Sequence, residues 1–145
     1  MKEIMKMLVK YWLRAAELGN AGAHYNLSTC YREGYGVEKD KKLMLYHLEE
    51  AAILGDPYAR NNLAIDELRG ERYDRAVLHW IVAANLGQND SIKNLKECYK
   101  HGHVSKENFA AALRAHQAAL DEMKSPQREK AKAFFEWKKT KISVR

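Results

Sequence analysis

Ala15-Ala16-Glu17-Leu18-Gly19 returns as Ala51-Ala52-Ile53-Leu54-Gly55 and again as Ala83-Ala84-Asn85-Leu86-Gly87. The first interval is thirty-six residues and the second thirty-two. A recurrence of this size marks a solenoid, in which each unit buries its apolar face only against its neighbours. Four more columns keep the same register: Trp12, Leu48 and Trp80; Leu27, Leu63 and Leu95; Asn26, Asn62 and Asn94; Gly34, Gly70 and Gly102. Such a fold presents surface for binding, so the repeat points to an interaction protein.

The column types have physical reasons. Trp12 and Ala16 are four apart and share one helix face, and the small Ala51 and Ala83 suit close approach by a second helix. A glycine after leucine (Gly19, Gly55, Gly87) fits the left-handed position that ends a helix. Asp56 then caps the next helix, with Pro57 at its first position, and Asp90 is the expected cap in the third unit. Ser105 and Ser125 are further expected caps, the latter followed by Pro126. The pattern predicts helices over 2–18, 21–33, 40–54, 57–69, 73–86, 90–101, 106–124 and 127–139. The expected fold is all-α: a right-handed α-solenoid of antiparallel helix pairs, about eight helices in all. Residues 1–18 form an N-terminal outer helix, 19–124 the repeats, and 125–145 a capping helix with a basic tail. Ala131, Phe134, Phe135 and Trp137 are expected to seal the end of the stack.

With 145 residues, 46% hydrophobic and 30% charged, the chain is long enough for one continuous core. Lys6 and Lys10 interrupt the apolar N-terminus, so it reads as a helix and not as a signal peptide. No apolar run approaches the roughly 18 residues of a membrane span. The expected location is cytoplasmic or nuclear, with no membrane partner. Cys30 and Cys98 share a column two units apart, too far for a disulfide, and suit a reducing compartment. Met1–Leu18 reads as a second-type helix lacking its first-type mate, as in a piece of a longer array or a short form.

The net charge is +6, and its placement is uneven. Residues 126–145 hold seven Lys/Arg and two Glu, whereas the remaining chain holds 18 basic and 17 acidic groups. A neutral repeat body favours protein partners over nucleic acid.

Ala23, Leu27, Tyr31, Gly34, Gly36, Val37, Asp40, Ala51, Ala52, Leu54 and Gly55 together resemble the Sel-one-like repeat, a branch of the tetratricopeptide-type helical repeats. The match covers roughly residues 11–120 and is strongest in the first unit. It departs at Ser28, Ala64 and Lys96, which fill a glycine column, and at Glu67, which replaces a tyrosine. The resemblance implies a curved, tetratricopeptide-like superhelix that acts as an adaptor or scaffold for other proteins.

In related repeats the first helix of each unit lines the concave groove, which makes Asn26, Asn62 and Asn94 the leading site residues. An amide there offers a donor and an acceptor to an extended peptide backbone. Arg60 and Lys93 add charge selectivity for acidic partners. The competing role for the asparagines is to bond to a neighbouring helix and hold the units together. Cys98, His101 and His103 superficially suggest a metal site but lack converging geometry, so no metal or other cofactor is expected. No phosphate loop, nucleophile elbow or carboxylate pair supports catalysis, and the chain reads as non-enzymatic. The alternative function is nucleic-acid binding through Lys138, Lys139, Lys141 and Arg145 beside Phe134, Phe135 and Trp137.

Overall fold

The computed structural model describes residues 1–143; Arg145 of the basic tail lies outside the described residues. Seven helices follow one another: α1 (Lys2–Glu17), α2 (Ala21–Glu33), α3 (Lys41–Ile53), α4 (Pro57–Arg69), α5 (Tyr73–Asn85), α6 (Asn89–Lys100) and α7 (Lys106–Ser143). No strand occurs among the described residues. Helices α2 with α3, and α4 with α5, form the intimate pairs, and each pair stacks on the next through α3–α4 and α5–α6. Helix α1 packs on α2, and α7 closes the other end against α5 and α6.

The tight turns come from glycine. Gly19, Gly55 and Gly87 take φ of 84°, 97° and 88°, a region that a side chain disfavours. The chain then reverses within two residues: Gly19 N–H donates to the Ala16 carbonyl at 2.9 Å and Asn20 N–H to the Ala15 carbonyl at 3.1 Å. The next helix starts on a side-chain cap. Asn20 accepts from Ala23 N–H at 2.8 Å and Asp56 from Ala59 N–H at 2.9 Å. In the third unit the cap is Gln88 and not Asp90. Gln88 Oε1 accepts from both the N–H and the hydroxyl of Ser91 at 2.6 Å, while Asp90 lies in the first turn, where its charge suits the helix N-terminus. Ser105 caps α7 as expected, accepting from Asn108 N–H at 3.1 Å.

The loops between paired helices differ. In the first unit Gly36 takes φ of 72° beside α1, where an added Cβ would lie 2.7 Å from the Met5 carbonyl oxygen. The shorter second loop instead places Glu71 at φ 59°, and an Arg72–Glu67 ion pair braces it.

Three apolar clusters run along the stack. Val9, Ala16, Ala23, Leu27 and Cys30 join α1 to α2. Met44, Leu48, Ala51, Ala52, Ala59 and Leu63 join α3 to α4. The third is centred on Trp80 and Leu95, and Val104 and Ala112 connect it to α7. The repeated alanines are fully buried at Ala51, Ala83 and Ala84, as close helix approach requires.

One expected boundary is absent. Helix α7 passes through Pro126 without a break, which accounts for seven helices where the sequence suggests about eight. Proline removes one backbone hydrogen bond, but the flanking Glu, Met, Lys, Gln and Ala residues are strong helix formers, and water can satisfy the freed carbonyl on an exposed helix. The aromatics expected to seal the stack do not reach it. Phe134, Phe135 and Trp137 are 55%, 62% and 57% exposed. Closure falls to the first half of α7, where Phe109 and Ala112 meet the Trp80 cluster and Met123 touches the Gly87 turn.

Candidate binding groove

Helices α2, α4 and α6 lie side by side, and side-chain hydrogen bonds join them. Asn62 Nδ2 on α4 donates to the Tyr25 hydroxyl on α2 at 3.3 Å, and Asn94 Nδ2 on α6 donates to Asn61 Oδ1 on α4 at 3.2 Å. The two bonds are equivalent in the repeat, because Tyr25 and Asn61 occupy one column. Asn61 is buried and accepts a second bond, from the Trp80 indole N–H at 2.9 Å. It thus joins three helices. A buried indole needs an acceptor, so Trp80 was the signal in the sequence for a partner such as Asn61.

Between successive pairs the same face forms two cavities. The first, about 150 Å³, is lined by Arg32 of α2, Met44 and Leu48 of α3, and Asn62, Ile65, Asp66 and Arg69 of α4. The second, about 390 Å³, is bounded by Leu68, Tyr73, Trp80, Asn94, Glu97 and Cys98, with His101 and His103 at its end. Six positions correspond one unit apart: Arg32 with Leu68, Leu48 with Trp80, Asn62 with Asn94, Ile65 with Glu97, Asp66 with Cys98, and Arg69 with His101. On α4, positions 62, 65, 66 and 69 share one helix face, which brings the charged pair Asp66 and Arg69 to the side facing α2.

Asn62 and Asn94 therefore reach equivalent places, each at a cavity wall while also tying its unit to the one before. Asn26 is half-buried at the corresponding position of α2. Arg60 lies elsewhere. It faces His79 across the α4–α5 interface, with Nη1 3.5 Å from Nδ1. Lys93 is exposed on α6 and lines neither cavity. Arg32 and Arg69 went unnoticed in the sequence because their columns change type from unit to unit.

The Arg60–His79 contact has its own repeat equivalent, the buried pair His24 and His47 with Nδ1 atoms 2.9 Å apart. Burial and the neighbouring His24 hold His47 below its ordinary value, against the opposing pull of Glu50. Burial and Arg60 do the same to His79, opposed by Glu67 and Glu49. These rings sit inside the helix pairs and line neither groove cavity.

Cys98, His101 and His103 do share the second cavity. Burial, then Glu97, pushes the Cys98 thiol up, His101 Nδ1 lies 2.8 Å from the Glu97 carbonyl oxygen, and His103 stacks on Tyr73. No group of three or more His, Cys, Asp or Glu able to hold a metal ion is found among the described residues. No described helix is long and apolar enough to cross a membrane.

No family model and no curated protein matches the chain. Solved structures do. A Sel1 repeat protein from Oxalobacter formigenes matches with a TM-score of 0.61 and 24% identity over 76% of this chain and 47% of its own. A protective antigen present in uropathogenic Escherichia coli strains, displaying an SLR fold, matches with a TM-score of 0.64 and 24% identity over 79% of this chain. The chain thus spans about half the length of the first and 25% of the second. Its fold is that of the Sel1-like repeat solenoids.

Proposed function

We propose that this Sel1-like repeat chain is a non-enzymatic protein-interaction module that takes an extended segment of a partner protein along the face formed by α2, α4 and α6. One observation carries the reading: this face holds a cavity at corresponding positions of two successive units, with an asparagine at the same place in each. Periodic cavities suit a periodic ligand, and an extended chain presents alternate side chains and regularly spaced backbone groups. Asn62 and Asn94 each use one Nδ2 N–H to join the units, which leaves the carbonyl oxygen as acceptor and the second N–H as donor for a passing backbone.

The test uses peptides selected from a displayed random library on the full chain, with their binding mapped by amide chemical shifts. The expected shifts fall on α2, α4 and α6, and Asn62→Ala and Asn94→Ala reduce capture while helical circular dichroism is retained. Shifts confined to other helices, or full capture by both variants, would sink the reading.

A second reading gains from the exposure of Phe134, Phe135 and Trp137. With Lys141 Nζ 5.9 Å from the Trp137 ring centre and further lysines alongside, this half of α7 offers stacking surfaces and phosphate partners to single-stranded nucleic acid. It requires affinity that falls steeply with salt and disappears on truncation after Lys124. Binding that ignores salt would remove it.

A further inference from the structure

The two cavities hold corresponding positions of the repeat but are lined by different chemistry, and that difference bears on the partner's sequence. This step rests on the groove reading above.

The first cavity is charged. Arg32, Asp66 and Arg69 surround an apolar floor of Met44 and Leu48. Arg32 and Arg69 are exposed, and among the described residues neither forms a salt bridge. The bond from Arg32 to the Met44 sulfur, at 3.9 Å, is long and weak. Two guanidiniums against one carboxylate leave an excess positive charge at the mouth of a small cavity. Guanidinium groups prefer carboxylate partners, which they bind in a planar fork.

The second cavity is larger, and several of its polar groups already have partners. Asn94 bonds to Asn61, the Trp80 indole N–H donates to Asn61, and Lys100 Nζ lies 3.1 Å from Glu97. The Tyr73 ring stacks on His103 at 4.1 Å with 2° between the planes. What remains open to a ligand is apolar surface from Leu68 and the half-buried Tyr73, with the buried Trp80 ring behind them. Such a surface favours an aromatic or large apolar side chain in offset or edge contact.

We infer that the groove recognises an extended segment carrying an acidic side chain for the Arg32–Arg69 cavity and an aromatic or large apolar side chain for the Tyr73–Trp80 cavity. Successive first-type helices stack about 10 Å apart. An extended chain advances about 3.3 Å per residue and turns alternate side chains to one face, so the two side chains lie about two or four positions apart.

The probe is a displayed library of random peptides panned on the full chain. Enriched sequences should pair Asp or Glu with Phe, Tyr, Trp or Leu at that spacing. The Arg32→Glu, Arg69→Glu double variant should bind those peptides at least about tenfold more weakly, the loss expected for a charge-assisted contact. Panned itself, it should select Lys or Arg at the acidic position. Arg32→Gln with Arg69→Gln, which removes charge without reversing it, should lose the acidic preference and keep the aromatic one. Tyr73→Ala should do the converse. Peptides that map to α2, α4 and α6 without an acidic–apolar pair would overturn this inference and leave the groove reading intact. Peptides that map elsewhere, or no enrichment at all, would overturn both.

Discussion

The two halves of α7 belong to one helix and meet opposite fates. The first half presents Phe109, Ala112 and Met123 to the Trp80 cluster and the Gly87 turn. The second presents Phe134, Phe135 and Trp137 to solvent. Both halves place apolar residues at helical spacing, so their sequences promise the same burial. The difference lies in the neighbours. The first half meets the cluster built by α5 and α6, whereas every residue from 126 to 141 is exposed. An apolar stripe states that a face prefers cover; only the arrangement of other helices determines whether it receives any.

The contrast can be broken most forcefully at Trp80, which is 2% exposed and central to the closing cluster. Trp80→Ala should cost about 3–5 kcal/mol in urea denaturation, the range for deleting a buried aromatic. A loss below about 1 kcal/mol would mean that the first half of α7 is not held as described. Asn61→Ala comes next. It leaves the Trp80 indole N–H without its acceptor and also releases Asn94, so about 1–3 kcal/mol should be lost, with helical circular dichroism unchanged.

Acid gives a graded version of the same comparison. His47 and His79 are held below their ordinary value of 6.5, chiefly by burial. The unfolded chain therefore takes up protons before the folded one. The stability from keeping these rings neutral is complete above about pH 6.5 and is lost progressively below it. Melting temperature should fall as pH drops from about 7 towards 5, and His47→Gln should flatten that slope. A pH-independent melting temperature over this window would contradict the buried His24–His47 geometry. The smallest effect belongs to the exposed half. Phe134→Ala or Trp137→Ala should change stability by no more than about 0.5 kcal/mol, as for surface substitutions generally. A larger loss would show that this half is covered in solution.

Much of the fold was legible because local chemistry sets it. Gly19, Gly55 and Gly87 announce the turns, Asp56 and Ser105 the helix starts, and the alanine columns the closest helix contacts. Asp90 misled because an acidic residue is favoured both at the cap and in the first turn, and Gln88 was already in place. Pro126 misled because its usual place is a helix start, whereas strong helix formers on both sides carry α7 across it. The groove was only partly legible. Asn62 and Asn94 repeat and are easy to find. Arg32, Asp66 and Arg69 become one constellation only when α2 and α4 are laid together, and each has a different residue type at its repeat equivalent. Column reading finds what is shared between units and misses what makes one unit chemically unlike the next.

The bond between Asn62 and Tyr25 reappears as the bond between Asn94 and Asn61, with a phenol exchanged for an amide. The junction thus tolerates substitution on one side provided that an oxygen remains there. A helix pair copied by gene duplication would arrive with a working junction already in its sequence, and its cavity lining would be free to drift. Arrays of this type can therefore lengthen first and acquire selectivity afterwards, one helix pair at a time.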